Sequence, residues 1–207
     1  VHTQTPSEFA ADLRAARYTI ESLTGGAPTG YRAPAFSITD GCRWAYDVLV
    51  HEGFAYDSSQ HDSPRIRGRV VPSVGAPHPL ELDSGTLWEF PIAVWSTSHA
   101  RLPIGGASYW AVMPTSLVLR GLDAVGPMGA IYLHPQELDP RLLRTGPSPG
   151  TPWPGRLHGA LRSLQRNAAR WRTADVLRSI ARRHRLIPYG EAHALLTGRP
   201  TAGSQPI

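Results

Sequence analysis

The sequence predicts an α/β fold, and three observations carry the prediction. Helix-like and strand-like periodicities alternate along the first 140 residues, as in successive βα units. Short apolar runs end abruptly in polar side chains, which is how buried strands read where they leave a sheet. In Ile131-Tyr132-Leu133-His134-Pro135-Gln136-Glu137-Leu138-Asp139 the run gives way to a histidine, a proline and acids. Gly and Pro, 20 of each among 207 residues, punctuate the elements throughout.

The elements follow in order. Thr5-Pro6-Ser7-Glu8 opens a helix over 6–23, with Thr5 as N-cap, Pro6 at the first turn and Glu8 closing a capping box. Phe9, Leu13, Ala16 and Ile20 recur at helical spacing, and Gly25-Gly26 ends the run. Residues 28–38 are extended: Pro34 fixes its own φ and pushes Ala33 out of the helical region. Arg32 thus sits on a stiff segment, as a fork to orient a carboxylate or as a solvated loop arginine. Asp40 can cap a second helix through Trp44, Val48 and Leu49, with Gly53 as its stop. Phe54–Asp57 is a short strand ending in an acid, and 58–85 form a long, aperiodic excursion. Leu87–Trp95 is a strand interrupted by Pro91, so near an edge or bend. Gly105–Trp110 is a turn carrying aromatics, without the spacing or lysine of a phosphate loop. Pro114–Ala124 is a helix stopping at Gly126, and Ala130–His134 is the histidine strand. Residues 145–154 read as a linker, 155–185 as helix, Leu186–Tyr189 as a closing segment and 198–207 as a disordered tail.

Charge divides the chain. Residues 1–140 hold 9 Arg against 14 Asp and Glu, whereas 141–207 hold 12 Arg against 2. There is no lysine. An arginine-rich end suits nucleic acid, but Leu161, Leu164, Ala168 and Trp171 keep helical spacing between the arginines, so the expectation is an amphipathic packing helix and no nucleic-acid partner. A membrane surface or an anionic polysaccharide is a further candidate partner for this tail. The single cysteine, Cys42, excludes an intramolecular disulfide, and no apolar run is long enough to span a bilayer. None of the nine histidines falls in a His-x₃-His spacing; His51 and His61 read as surface histidines.

Four segments in order carry a resemblance: Gly30-Tyr31-Arg32-Ala33-Pro34-Ala35-Phe36-Ser37, Gly53-Phe54-Ala55-Tyr56-Asp57-Ser58-Ser59, Leu87-Trp88-Glu89-Phe90-Pro91 and Tyr132-Leu133-His134-Pro135-Gln136-Glu137. Together they resemble the polysaccharide deacetylases of the NodB-homology group, carbohydrate esterase family 4. The last is most similar to a bacterial subgroup found beside exopolysaccharide and exosortase loci, with Gln136 in place of the usual aromatic residue. The resemblance covers residues 1–195. It implies the C-terminal part of a distorted (β/α) barrel over 1–142, followed by an Arg-rich helical extension over 143–195 and a tail over 196–207.

The resemblance also implies a reaction: hydrolysis of N-acetyl groups on a hexosamine-containing polysaccharide by metal-activated water. The divalent, zinc-like metal is held in the family by one aspartate and two histidines, and these ligands are expected upstream of Val1. The chain is accordingly expected to be an N-terminally truncated piece, inactive alone, of a bacterial and cytoplasmic protein. By its match, Arg32 positions the aspartate that serves as base, and the Ala35 backbone N–H donates to the oxyanion. His134 is the general acid, and Asp57 keeps its imidazole protonated. Ser58-Ser59 stand where the family often has a tryptophan. Glu137 orients His134 or binds sugar hydroxyls, Glu89 is a weaker substrate contact, and Trp88, Tyr109 and Trp110 are candidates to stack on pyranose rings. Two rival readings remain: an amidohydrolase acting on a non-sugar amide or cyclic ureide, and a non-catalytic carbohydrate-binding module.

Overall fold

Helix α1 spans Pro6–Thr24 and starts with the anticipated box: the Thr5 side chain accepts from the Glu8 N–H, and Glu8 accepts from the Thr5 N–H. Gly25, at φ 75°, ends it in the left-handed conformation. The computed structural model describes residues 1–61, 75–98, 100–139, 141, 150, 152–155, 157, 159–160, 167 and 171–198. The fold over them is mixed α/β with a mostly parallel main sheet. The expected helix over 161–166 and 168–170, part of the expected linker and the tail from 199 onward lie outside the described residues.

The main sheet is built from β1 (Gly30–Tyr31), β2 (Tyr56–Asp57), β3 (His78–Leu82) and β4 (Gly85–Glu89), in the spatial order β1-β2-β4-β3. The β1–β2 and β2–β4 pairs are parallel, and β3 joins β4 as an antiparallel hairpin. That hairpin corrects the reading of 58–85 as wholly aperiodic: Leu80 and Leu82 alternate with Pro79 and Glu81 and pack toward the core. Pro79 costs no sheet hydrogen bond where its strand is the outermost one. The strand expected over 87–95 ends at Glu89, and Trp95–Ser96 (β5) pairs with Arg101–Leu102 (β6) in a separate ribbon. The histidine segment makes isolated parallel bridges, Ile92 to Ala130 and Gly106 to Tyr132, in place of a full strand. Gly105 permits this approach, because a Cβ there would lie 2.6 Å from the Ala130 carbonyl oxygen.

Helices cover both faces of the sheet. On one, α1 and α2 (Trp44–His51) bury Phe9, Leu13, Ala45, Tyr46 and Leu49 against Leu87. On the other, Phe90, Ala130, Tyr56 and Trp88 pack with Tyr189 and Ala192 of the last helix. A further core joins Ala93, Ile104 and Trp110 to α3 (Ala107–Trp110), α4 (Thr115–Val125) and α5 (Trp171–Arg183), through Val118, Leu122, Val176 and Ile180. The last helix, α6, spans Tyr189–Thr197.

Several described arginines of the C-terminal part are used within the molecule. Arg172 donates to the Ala111 and Met113 carbonyls, Arg183 pairs with Asp123, and Arg185 pairs with Glu191. Trp171, expected on the packing stripe, is instead 75% exposed. Among the described residues no helix is long and apolar enough to cross a membrane.

Candidate active site at the strand exits

Arg32 leaves β1 where the chain can no longer continue as sheet. Gly30, two residues before it, lies against the Tyr56 ring, and a Cβ there would sit 2.0 Å from Tyr56 Cε2. Gly30→Ala is therefore expected to push that ring off Phe90 and His193 and to cost about 1–3 kcal/mol. A urea titration checks this, with the midpoint falling and the slope unchanged. Ala33 adopts φ −64°, ψ 133°, the extended conformation that Pro34 demands. Arg32 is far from a solvated loop arginine. Its Nε donates to the Ser58 carbonyl (3.0 Å), and its Nη2 to Ser58 Oγ (2.8 Å) and Tyr189 Oη (2.7 Å). The guanidinium carbon lies 5.5 Å from the Tyr132 ring centre and 5.2 Å from that of Tyr189.

The next turn is strained. Ala35 (φ 53°) and Phe36 (φ 55°) both occupy the left-handed region, uncommon for a single non-glycine residue and more so for two in succession. The Phe36 N–H donates to the Ala33 carbonyl and the Ser37 N–H to that of Pro34. Ala35 is exposed, and its N–H has no acceptor among the described residues.

His134 comes to the same place at the exit of the segment that makes the parallel bridges to Ile92 and Gly106. Its ring meets the Tyr132 ring edge-on, with centroids 5.7 Å apart, so Arg32 and His134 share one tyrosine. Glu137 accepts from the His134 backbone N–H (2.8 Å) and from Ser108 Oγ (2.5 Å). It fixes the exit turn, and the imidazole is exposed. The Tyr132 phenol is pushed up to about 12, first by burial, then by Tyr109 and Glu137, against the opposing pull of Arg32.

Several expected site residues lie elsewhere. Asp57 does not hold the His134 imidazole. It is fully buried, and its carboxylate accepts from the Ser59 N–H and Ser59 Oγ, both at 2.8 Å. Glu89 is no substrate contact. The β2–β4 register sets it beside Asp57, on the core face it shares with Leu87, and it accepts from the Gln60 N–H at 3.0 Å. Burial raises both carboxyls above the ordinary carboxylate range, Glu89 further because of the Asp57 charge beside it, and Glu89 Oε2 has no hydrogen-bond partner among the described residues. Trp110 cannot stack on a sugar: it is 0% exposed and its indole N–H donates to the Ile104 carbonyl. Tyr109 is half-buried, and Trp88 packs edge-on to His193.

Two groups absent from the expectation join the site. Tyr189 bridges Arg32 to the Ile131 carbonyl, to which its hydroxyl donates at 3.1 Å. His61, read as a surface histidine, is 7% exposed and faces Phe36, Tyr109 and Tyr132. The carboxyl pair reaches the site through the backbone. Asp57 holds Ser59, whose Oγ accepts from the Ala33 N–H, while Ser58 receives Arg32 and donates its own hydroxyl to the Phe90 carbonyl. Among the described residues no three His, Cys, Asp or Glu side chains gather where they could hold a metal ion. The described residues therefore do not by themselves fit the metal centre that the resemblance implies.

A family model described as "Domain of unknown function (DUF3473)", a domain known in polysaccharide deacetylase-like proteins, matches residues 64–189. The chain is also similar to the crystal structure of a Mycobacterium smegmatis protein provisionally named a polysaccharide deacetylase, with 20% identity and a TM-score of 0.42. That similarity covers 63% of this chain and 43% of the other. No curated protein matches.

Proposed function

The chain belongs to the DUF3473 family, and from that premise we propose that it forms part of a hydrolase that removes N-acetyl groups from a hexosamine-containing polysaccharide. One observation carries this reading. Arg32 and His134 meet on Tyr132 at the exits of the parallel segments, and the Phe36 ring packs on the same tyrosine next to Ala35, whose N–H has no acceptor among the described residues. Three of the five Arg32 donors are engaged, which leaves the Nη1 pair to orient the carboxylate of a base. The Ala35 N–H supplies a fixed donor for the oxyanion that develops when water adds to the acetamide carbonyl. The His134 imidazole protonates the amine as the C–N bond breaks. The base and the groups that would hold a divalent metal lie, on this reading, outside the described residues. The barrel closure that the resemblance implies belongs to the same proposal.

The test is an assay of the protein as its gene encodes it, on N-acetylated chitin oligomers. Acetate release with an equal gain of free amine on the sugar is expected. Oligomer binding without acetate would leave a carbohydrate-binding module. Turnover confined to small amides or cyclic ureides would move the substrate away from sugars.

A further inference from the structure

The left-handed Ala35–Phe36 turn needs something to hold it. No glycine relieves it, and its two backbone bonds, Phe36 to Ala33 and Ser37 to Pro34, are those of a single 3-10 turn. Strained residues of this kind persist only where their surroundings over-determine them. The only side chain in the turn large enough to be gripped is the Phe36 ring. It lies 4.8 Å from the His61 ring (interplanar angle 58°) and 5.4 Å from the Tyr132 ring (69°), and His61 and Tyr132 face each other at 6.4 Å. These are tilted and edge-to-face contacts within the favourable range for aromatic pairs. Each partner is itself held. Tyr132 carries Arg32 over its ring and His134 at its edge, and His61 is buried beside Tyr109.

We propose that His61 is a positioning residue of this site: with Tyr132 it clamps the Phe36 ring and so keeps the Ala35 backbone in the left-handed conformation that leaves its N–H unclaimed by the protein. The clamp stands on the ring geometry alone. Its consequence for turnover rests on the deacetylase reading, because only there does the Ala35 N–H meet an oxyanion. His61 thereby joins the oxyanion turn to the surface shared by Arg32 and His134, although it follows β2 in sequence and the turn follows β1.

Residue-resolved amide hydrogen exchange of the full chain tests the clamp. In His61→Ala the Phe36 and Ser37 amides should exchange about tenfold faster or more, as a local opening, while those of α1 and α2 keep their wild-type rates. His61→Phe, which retains a ring, should restore slow exchange. Phe36→Leu, which keeps an apolar side chain but removes the ring both partners grip, should speed the same two amides. It serves as the deciding variant if His61→Ala fails to fold. Unchanged exchange at Phe36 and Ser37 in either ring-deleting variant overturns the clamp, as does a failure of His61→Phe to restore it. Acetate release from chitin oligomers is read on the same proteins. Faster exchange with a lower kcat and a steady KM supports the positioning role, and faster exchange with unaltered turnover overturns it. A wild-type protein that releases no acetate defeats the deacetylase reading while leaving the clamp to the exchange data.

Discussion

Replacing His134 by alanine is expected to lower kcat on N-acetylated chitin oligomers by roughly 10²–10⁴-fold, the usual effect of removing a positioned acid. KM should change little, because the imidazole gives up its proton only as the C–N bond breaks. The fold should survive, since His134 is exposed and Glu137 bonds its backbone N–H, not its ring. Steady-state kinetics of the protein as its gene encodes it read the effect directly. Near-normal turnover would remove the acid from the mechanism. The neighbouring substitution is equally informative. Asp57 is buried and spends both carboxylate oxygens on Ser59, so Asp57→Asn should leave the alkaline limb of the His134 rate profile in place. A shifted limb would restore the family's pairing of that aspartate with the histidine.

The parts of this site legible in sequence are those fixed by local backbone chemistry. The Thr5 capping box, the extended Ala33 before Pro34 and the exit of His134 past a short apolar run each depend on a few adjacent residues. What escaped depends on register between distant segments. Glu89, inside the strand expected over 87–95, reads as a weak substrate contact until its parity with Leu87 is noticed. Two residues along a strand share a face, and Leu87 faces the core. That alternation was the available signal for a buried glutamate. The β2–β4 register, which then places Asp57 against it, is not written in either segment. His61 offered no signal, since it lies in an aperiodic stretch and its burial comes from Phe36, Tyr109 and Tyr132, all more than 20 residues away. Trp110 reads as a loop aromatic because the helix that buries it is a single turn.

The buried carboxyl pair should set how stability responds to pH. Burial is the first cause of the rise at both Asp57 and Glu89; the Asp57 charge pushes Glu89 further, while the Gln60 N–H and Arg32 oppose it. Carboxyls raised on folding bind their protons more tightly in the native state than in the unfolded chain. Their stabilising contribution is complete below the ordinary carboxylate range, near 4, and is lost as pH climbs through the raised native values. Wild-type stability is therefore expected to fall from about pH 5 toward alkaline pH as the buried carboxyls lose their protons. Glu89→Gln removes the more strongly raised group while keeping an acceptor for the Gln60 N–H and adding a donor for Asp57. Urea midpoints of this variant should vary less with pH and should exceed the wild type above about pH 7, with the advantage vanishing near pH 4. Glu89→Ala separates charge from packing: it strands the buried Gln60 N–H and should cost about 1–3 kcal/mol at every pH. Parallel wild-type and Glu89→Gln curves across this range would mean that Glu89 is not raised by its burial beside Asp57, and that Ser59 and Gln60 alone hold the β2 exit beneath Arg32.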